Sequence, residues 1–126
     1  MSLRSPLSKA VGLGSAKHGF SHWWWQRVTA IALIPLVIWF VFSVVGLVGA
    51  SHSDAVAWLA SPFNATIMLL FVFAALFHGQ TGLQVIIEDY IHIAWLNLSM
   101  LLIVKFVSVI LAVFATISVM KVVLGG

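Results

Sequence analysis

Three long apolar stretches, about Val28–Gly49, Ala65–Ile87 and Leu98–Leu124, constrain this 126-residue chain more than anything else in it. A helix rises ~1.5 Å per residue, so ~20 apolar residues cross the ~30 Å of hydrocarbon in a bilayer. Each stretch is that long. Only 7% of the residues are charged and 63% are hydrophobic, where a soluble domain carries about 25% charge. The chain therefore reads as an all-α membrane protein with three transmembrane helices, expected over about residues 22–49, 64–90 and 93–124 of a single domain. The first stretch is too long, and is followed by too many others, for a cleaved signal peptide. Three helices have more apolar perimeter than they can bury on one another, so lipid or partner subunits must cover the rest.

Residues 1–20 are rich in Ser, Gly and Lys and show no sustained period, which reads as an extended segment. Their basic, acid-free character resembles a targeting leader, but they are short and run straight into the His22–Arg27 aromatic cluster, which favours retention. Trp23–Trp25 mark a membrane surface, because an amphipathic ring faces both phases there. Pro35 is a candidate kink in the first helix. Four of the six basic residues (Arg4, Lys9, Lys17 and Arg27) precede the first stretch. By the positive-inside rule the N-terminus lies in the cytoplasm (the matrix, in a mitochondrion) and the C-terminus on the periplasmic or intermembrane side. The first connector, Ala50–Asn64, breaks at Ser61-Pro62. The second, Glu88–Asn97, then faces the cytoplasm. Lys105 is read as snorkelling to the inner boundary of the third helix, with a functional charge as the alternative.

His78 is the ionisable residue deepest in the second stretch, and groups at such depth are costly unless they serve a purpose. Three readings are open: an axial haem ligand, a proton relay, or a histidine tying two helices together. Gly82 lies one turn away, where a missing side chain admits either a flat macrocycle or a neighbouring backbone. At ~100° per residue, Asp89 returns to the face of His78 about 16 Å along the helix. Tyr90 follows it. A phenol beside a carboxylate suits a quinone, whose carbonyl accepts a hydrogen bond and whose two-electron reduction takes up two protons; both residues are also ordinary where a helix leaves lipid. Arg27 either snorkels or pairs with a carboxylate such as a haem propionate. His18, His52 and His92 read as solvated loop residues. The chain has no Cys, no phosphate loop, no nucleotide fingerprint and no zinc spacing, so a flavin or iron–sulfur cluster would belong to another subunit; nothing points to nucleic acid.

These residues, HWWWQRVTAIAL and HGQTGLQVIIEDY, resemble the small hydrophobic anchor (D-type) subunit of succinate dehydrogenase, respiratory complex II, in its α-proteobacterial and mitochondrial-like branch. The shared features are His78, Gly82, Asp89-Tyr90 and the opening Arg27-Val28-Thr29-Ala30, and the likeness covers about residues 18–92. It implies that His78 is one axial ligand of haem b, with a C-type cytochrome b anchor subunit supplying the other. It further implies that Arg27 lies near a propionate, that Gly82 packs on the haem, and that Tyr90 and Asp89 line a site for ubiquinone. Flavoprotein and iron–sulfur subunits would supply the electrons. The implied location is a bacterial cytoplasmic membrane, or else the mitochondrial inner membrane. A fumarate reductase anchor, a non-redox scaffold and a proton-relay subunit are the competing functions.

Overall fold

The computed structural model describes residues 16–125, with side chains from Phe20 onward. Four helices follow one another: α1 (Ala16–Gly46), α2 (His52–Ala60), α3 (Pro62–Tyr90) and α4 (Ala94–Val123). Three of them, α1, α3 and α4, are long and apolar enough to cross a membrane, as an all-α, three-span chain requires. Sealing every backbone hydrogen bond inside one segment is what lets such helices exist in hydrocarbon.

Two local details depart from the sequence expectation. First, α1 begins at Ala16 and not near residue 22, so part of the segment expected to be extended is helical; residues 1–15 lie outside the described residues. The Phe20 ring stacks on Trp23 and Trp24, at 6.0 and 6.3 Å, three and four positions later. That spacing puts all three aromatics on one wall of a helix, which favours extending it backward. Second, the connector after α1 is not all loop. Gly49, at φ 81°, turns the chain. Ser51 then opens α2 with a reciprocal cap: its hydroxyl accepts from the Asp54 N–H at 3.1 Å, and its own N–H donates to Asp54 Oδ2 at 3.3 Å. His52 is thus exposed but helical.

Ser61-Pro62 ends α2 and starts α3, with Pro in the first turn where its missing N–H costs nothing. Two asparagines fasten the junctions. Asn64 Nδ2 donates to Trp58 O at 2.9 Å. Asn97 Nδ2 donates to Ile91 O at 2.9 Å and to Ile87 O at 3.3 Å, the latter carbonyl also accepting the Ile91 N–H at 2.9 Å.

The central helix is α3. It packs against α1 on one side and α4 on the other, whereas α1 and α4 make no close backbone approach to each other. Phe40 stacks on Phe71 at 4.7 Å between α1 and α3, and Trp39 stacks on Trp58 of α2 at 5.7 Å. Very little is buried: Ala65, Ile87, Val119 and Thr81 among the described residues. Large apolar side chains such as Ile31, Phe42, Phe106 and Phe114 stand outward at more than 60% exposure, a surface that only lipid or other subunits can cover. Hydroxyls in the spans are satisfied locally, as where Ser108 and Thr116 donate to the carbonyls four residues back.

Candidate functional site in the α1–α3 seam

Where α1 meets α3, a polar seam runs through otherwise apolar surfaces. Thr29 Oγ1 lies 3.2 Å from His78 Nδ1. One turn along, the Thr81 hydroxyl donates to Gln26 Oε1, and is also within reach of the Phe77 and His78 carbonyls at 2.9 and 3.0 Å. The helices are antiparallel here, so moving three residues back in α1 meets the residue three further on in α3. Thr81 is the buried polar residue of the described chain, and the seam is where it finds its partners. The Trp25 ring meets Phe77 edge-on at 6.3 Å, closing the seam on one side.

The Thr29 hydroxyl also contacts its own helix, 2.8 Å from Trp25 O and 3.2 Å from Gln26 O. It is therefore held in place before His78 reaches it. The His78 ring makes its one hydrogen bond among the described residues through Nδ1. Nε2 is left without a partner there. A turn below Gln26, His22 lies on the same wall of α1, and its Nε2 is buried without a hydrogen bond among the described residues.

The other expected residues fall elsewhere. A Cβ placed on Gly82 would meet Gln26 Nε2 at 3.7 Å, ordinary contact, so the α1–α3 packing alone does not demand glycine there. Arg27 is exposed and lies over the Trp23 ring, 5.8 Å from its centroid, not against His78. Asp89 and Tyr90 close α3 at its far end, both exposed, Tyr90 at 78%. Twelve residues of helix put Tyr90 about 18 Å along α3 from His78. Glu88 is engaged by Gln84, whose Nε2 donates to it at 2.9 Å, and so stands apart from the Asp89-Tyr90 pair. Lys105 lies on the other side of α3, in an open groove of about 560 Å³ between α3 and α4 that it lines with Phe77, Gln80, Gln84 and Ser108. His92 is exposed in the short connector after α3.

The sequence reading gave no role to Gln26, Thr29 and Thr81. A signal for them existed. His22, Gln26 and Thr29 recur at helical spacing along one wall of an apolar helix, as His78 and Thr81 do along the other. Polar residues in matching rows on consecutive spans are a sign of an interhelical seam.

Taken together, these features define a class: a three-span helical membrane protein with the His78 imidazole presented from an interhelical seam and an acid–phenol pair at the end of the same helix. The chain belongs to the succinate dehydrogenase/fumarate reductase transmembrane subunit family, whose family model matches residues 1–119. It is 34% identical over 107 residues to the succinate dehydrogenase hydrophobic membrane anchor subunit of Rickettsia bellii, covering 85% of this chain and 86% of that one. It is 37% identical over 86 residues to the subunit of that name from Paracoccus denitrificans, covering 68% and 67%. A succinate dehydrogenase membrane anchor subunit of Reclinomonas americana is 35% identical over 79 residues, 60% of this chain and 66% of that one.

Among the described residues no three His, Asp or Glu side chains gather to hold a bare metal ion. A single imidazole with Nε2 open is instead the donor set for one axial position of a haem, whose porphyrin brings the equatorial nitrogens itself. The residues present fit that group.

Proposed function

We propose that this chain is a hydrophobic membrane anchor subunit of a succinate:quinone oxidoreductase, contributing one axial ligand of a haem b and part of the quinone site. It is not catalytic alone. The observation that carries the reading is the His78 ring, held through Nδ1 by a neighbouring helix with Nε2 left open, on the same helix that ends in Asp89-Tyr90. In this reading His78 Nε2 would hold the haem iron from this chain, together with a ligand from a C-type cytochrome b anchor subunit. Gly82, a turn away, leaves the surface beside the imidazole flat for the macrocycle. Arg27, exposed on α1, would hold a haem propionate. Haem b would supply a one-electron store between the two anchor subunits.

The Tyr90 hydroxyl donates a hydrogen bond to a carbonyl oxygen of ubiquinone, and Asp89 beside it takes a proton from the aqueous phase and passes it to that oxygen, the other carbonyl oxygen taking the second proton. Two electrons arrive from the iron–sulfur subunit, drawn in turn from the flavoprotein subunit, and two protons complete the quinol. Arg4, Lys9, Lys17 and Arg27 support a cytoplasmic N-terminal side. Tyr90 then lies at the cytoplasmic face and the C-terminus in the periplasm of a bacterial inner membrane. The family description joins succinate dehydrogenase with fumarate reductase, so running the chemistry in reverse is the second reading.

The test is to tag this chain, purify what comes with it, and record an absorption spectrum and quinone-reductase activity. A complex holding flavoprotein and iron–sulfur subunits, a reduced haem b band and succinate-dependent quinone reduction is expected. A chain purified without redox partners would establish a scaffold, and proton flux in vesicles holding it alone would establish a relay. Faster fumarate reduction than succinate oxidation with the native quinone would select the reverse direction.

A further inference from the structure

We propose that Thr29 is a positioning residue for His78: its hydroxyl fixes the imidazole with the proton on Nδ1 and Nε2 aimed outward, and so sets how strongly Nε2 donates to iron. This deepens the haem reading above and rests on it. The hydroxyl has one hydrogen and two lone pairs. Of its three neighbours, the Trp25 carbonyl is nearest at 2.8 Å, against 3.2 Å for the Gln26 carbonyl and 3.2 Å for His78 Nδ1. Carbonyls cannot donate, so the hydrogen goes to Trp25 O and a lone pair remains for Nδ1–H. Neutral imidazole carries one N–H; with that proton on Nδ1, Nε2 is bare, the state in which it binds a metal.

The opposite arrangement, with the hydroxyl donating to a bare Nδ1, would protonate Nε2 and close the ligand position. Thr29 is suited to the first arrangement. Its β-branched side chain has few rotamers in a helix, and the bond to the carbonyl four residues back selects one of them. The contact also spans 49 residues of sequence and joins α1 to α3, so it orients the ring relative to the neighbouring helix as well as relative to its own backbone. A carbonyl, a hydroxyl and an N–H in series polarise one another, which makes the far nitrogen a better donor. Partners of this kind on ligating histidines are worth about 10–100-fold in metal affinity.

The test compares Thr29→Val, which keeps the shape and removes the hydroxyl, with Thr29→Ser, which keeps the hydroxyl, and with His78→Ala, all in the assembled complex. The readouts are haem content per flavin, the rate of haem loss, the haem midpoint potential and the low-spin ferric electron paramagnetic resonance spectrum. For Thr29→Val we expect haem loss faster by about 10–100-fold, a midpoint potential moved upward because the ferric state loses donation, and altered g values. Thr29→Ser should stay close to the parent. Unchanged potential and g values in Thr29→Val, or a Thr29→Ser variant that behaves like Thr29→Val, would overturn the role. If Thr29→Val does not assemble, Thr29→Ala gives the same readouts. Failure of both beside a normal Thr29→Ser would assign Thr29 to helix packing and overturn the proposal as well. The underlying haem reading fails separately, on a His78→Ala complex with the parent haem spectrum.

Discussion

Tyr90 and Gly82 are where single side chains divide one role from another. Tyr90 is 78% exposed at the last position of α3, so removing its hydroxyl costs this chain no packing. Tyr90→Phe should therefore lower quinone reduction by about 10²–10⁴-fold, as is typical of a positioned proton donor, while succinate oxidation with an artificial acceptor persists. Equal loss of both activities would count against a quinone contact. Gly82 offers a cleaner distinction than the sequence could. Gln26 leaves 3.7 Å for an added Cβ, and alanine is the better helix former by roughly 0.5–1 kcal/mol. Gly82→Ala should assemble normally with reduced haem content, and unaltered haem content would remove Gly82 from the site. At this scale the sequence was informative about the costly residues and silent about the cheap ones. His78 stands out because a titratable group in an apolar run demands a reason. Thr29 and Thr81 do not, since a hydroxyl that can bond its own helix is unremarkable until a second helix is set beside it.

The three spanning helices were legible from length and apolarity alone, and their ends less so. The end of α3 shows why. Its boundary near Tyr90 is fixed partly by Asn97, which reaches back from α4 to the Ile87 and Ile91 carbonyls. Such a contact depends on the turn between the two helices, which no periodicity reveals. Asn97→Ala removes both bonds at about 1 kcal/mol per bond lost, while Ile87 O keeps the Ile91 N–H. We expect a lower melting temperature of the assembled complex and a raised KM for quinone, because the strand of chain carrying Asp89-Tyr90 loses its anchor. A changed melting temperature with the KM intact would separate stability from the site. The start of α2 carried a signal that the connector reading passed over: Ser51 and Asp54 have capping-box spacing, and the structure forms both bonds. The start of α1 was hidden because Lys, His and Gly in that stretch resemble a loop by composition, whereas the aromatic stack from Phe20 onward extends the helix.

For the molecule as a whole, the near absence of buried side chains among the described residues matters most. Ala65, Ile87 and Val119 are a very small apolar core for three spans, so the stability of the folded chain depends on what surrounds it. Made without partner subunits, the chain should be degraded or aggregate once extracted in detergent, and co-expression with a second anchor subunit should restore a monodisperse species. Size-exclusion profiles and pulse-chase lifetimes with and without that partner check this; equal lifetimes would mean that lipid alone suffices. Sequence disclosed the exposed perimeter and the need for a cover, but not that α3 stands between the other two spans, since apolar helices of similar composition pack in more than one order. With no close backbone approach between α1 and α4, the two walls of α3 are separable: a change on the wall toward α4 reaches the imidazole only through α3 itself, whereas a change on the facing wall of α1 reaches it directly.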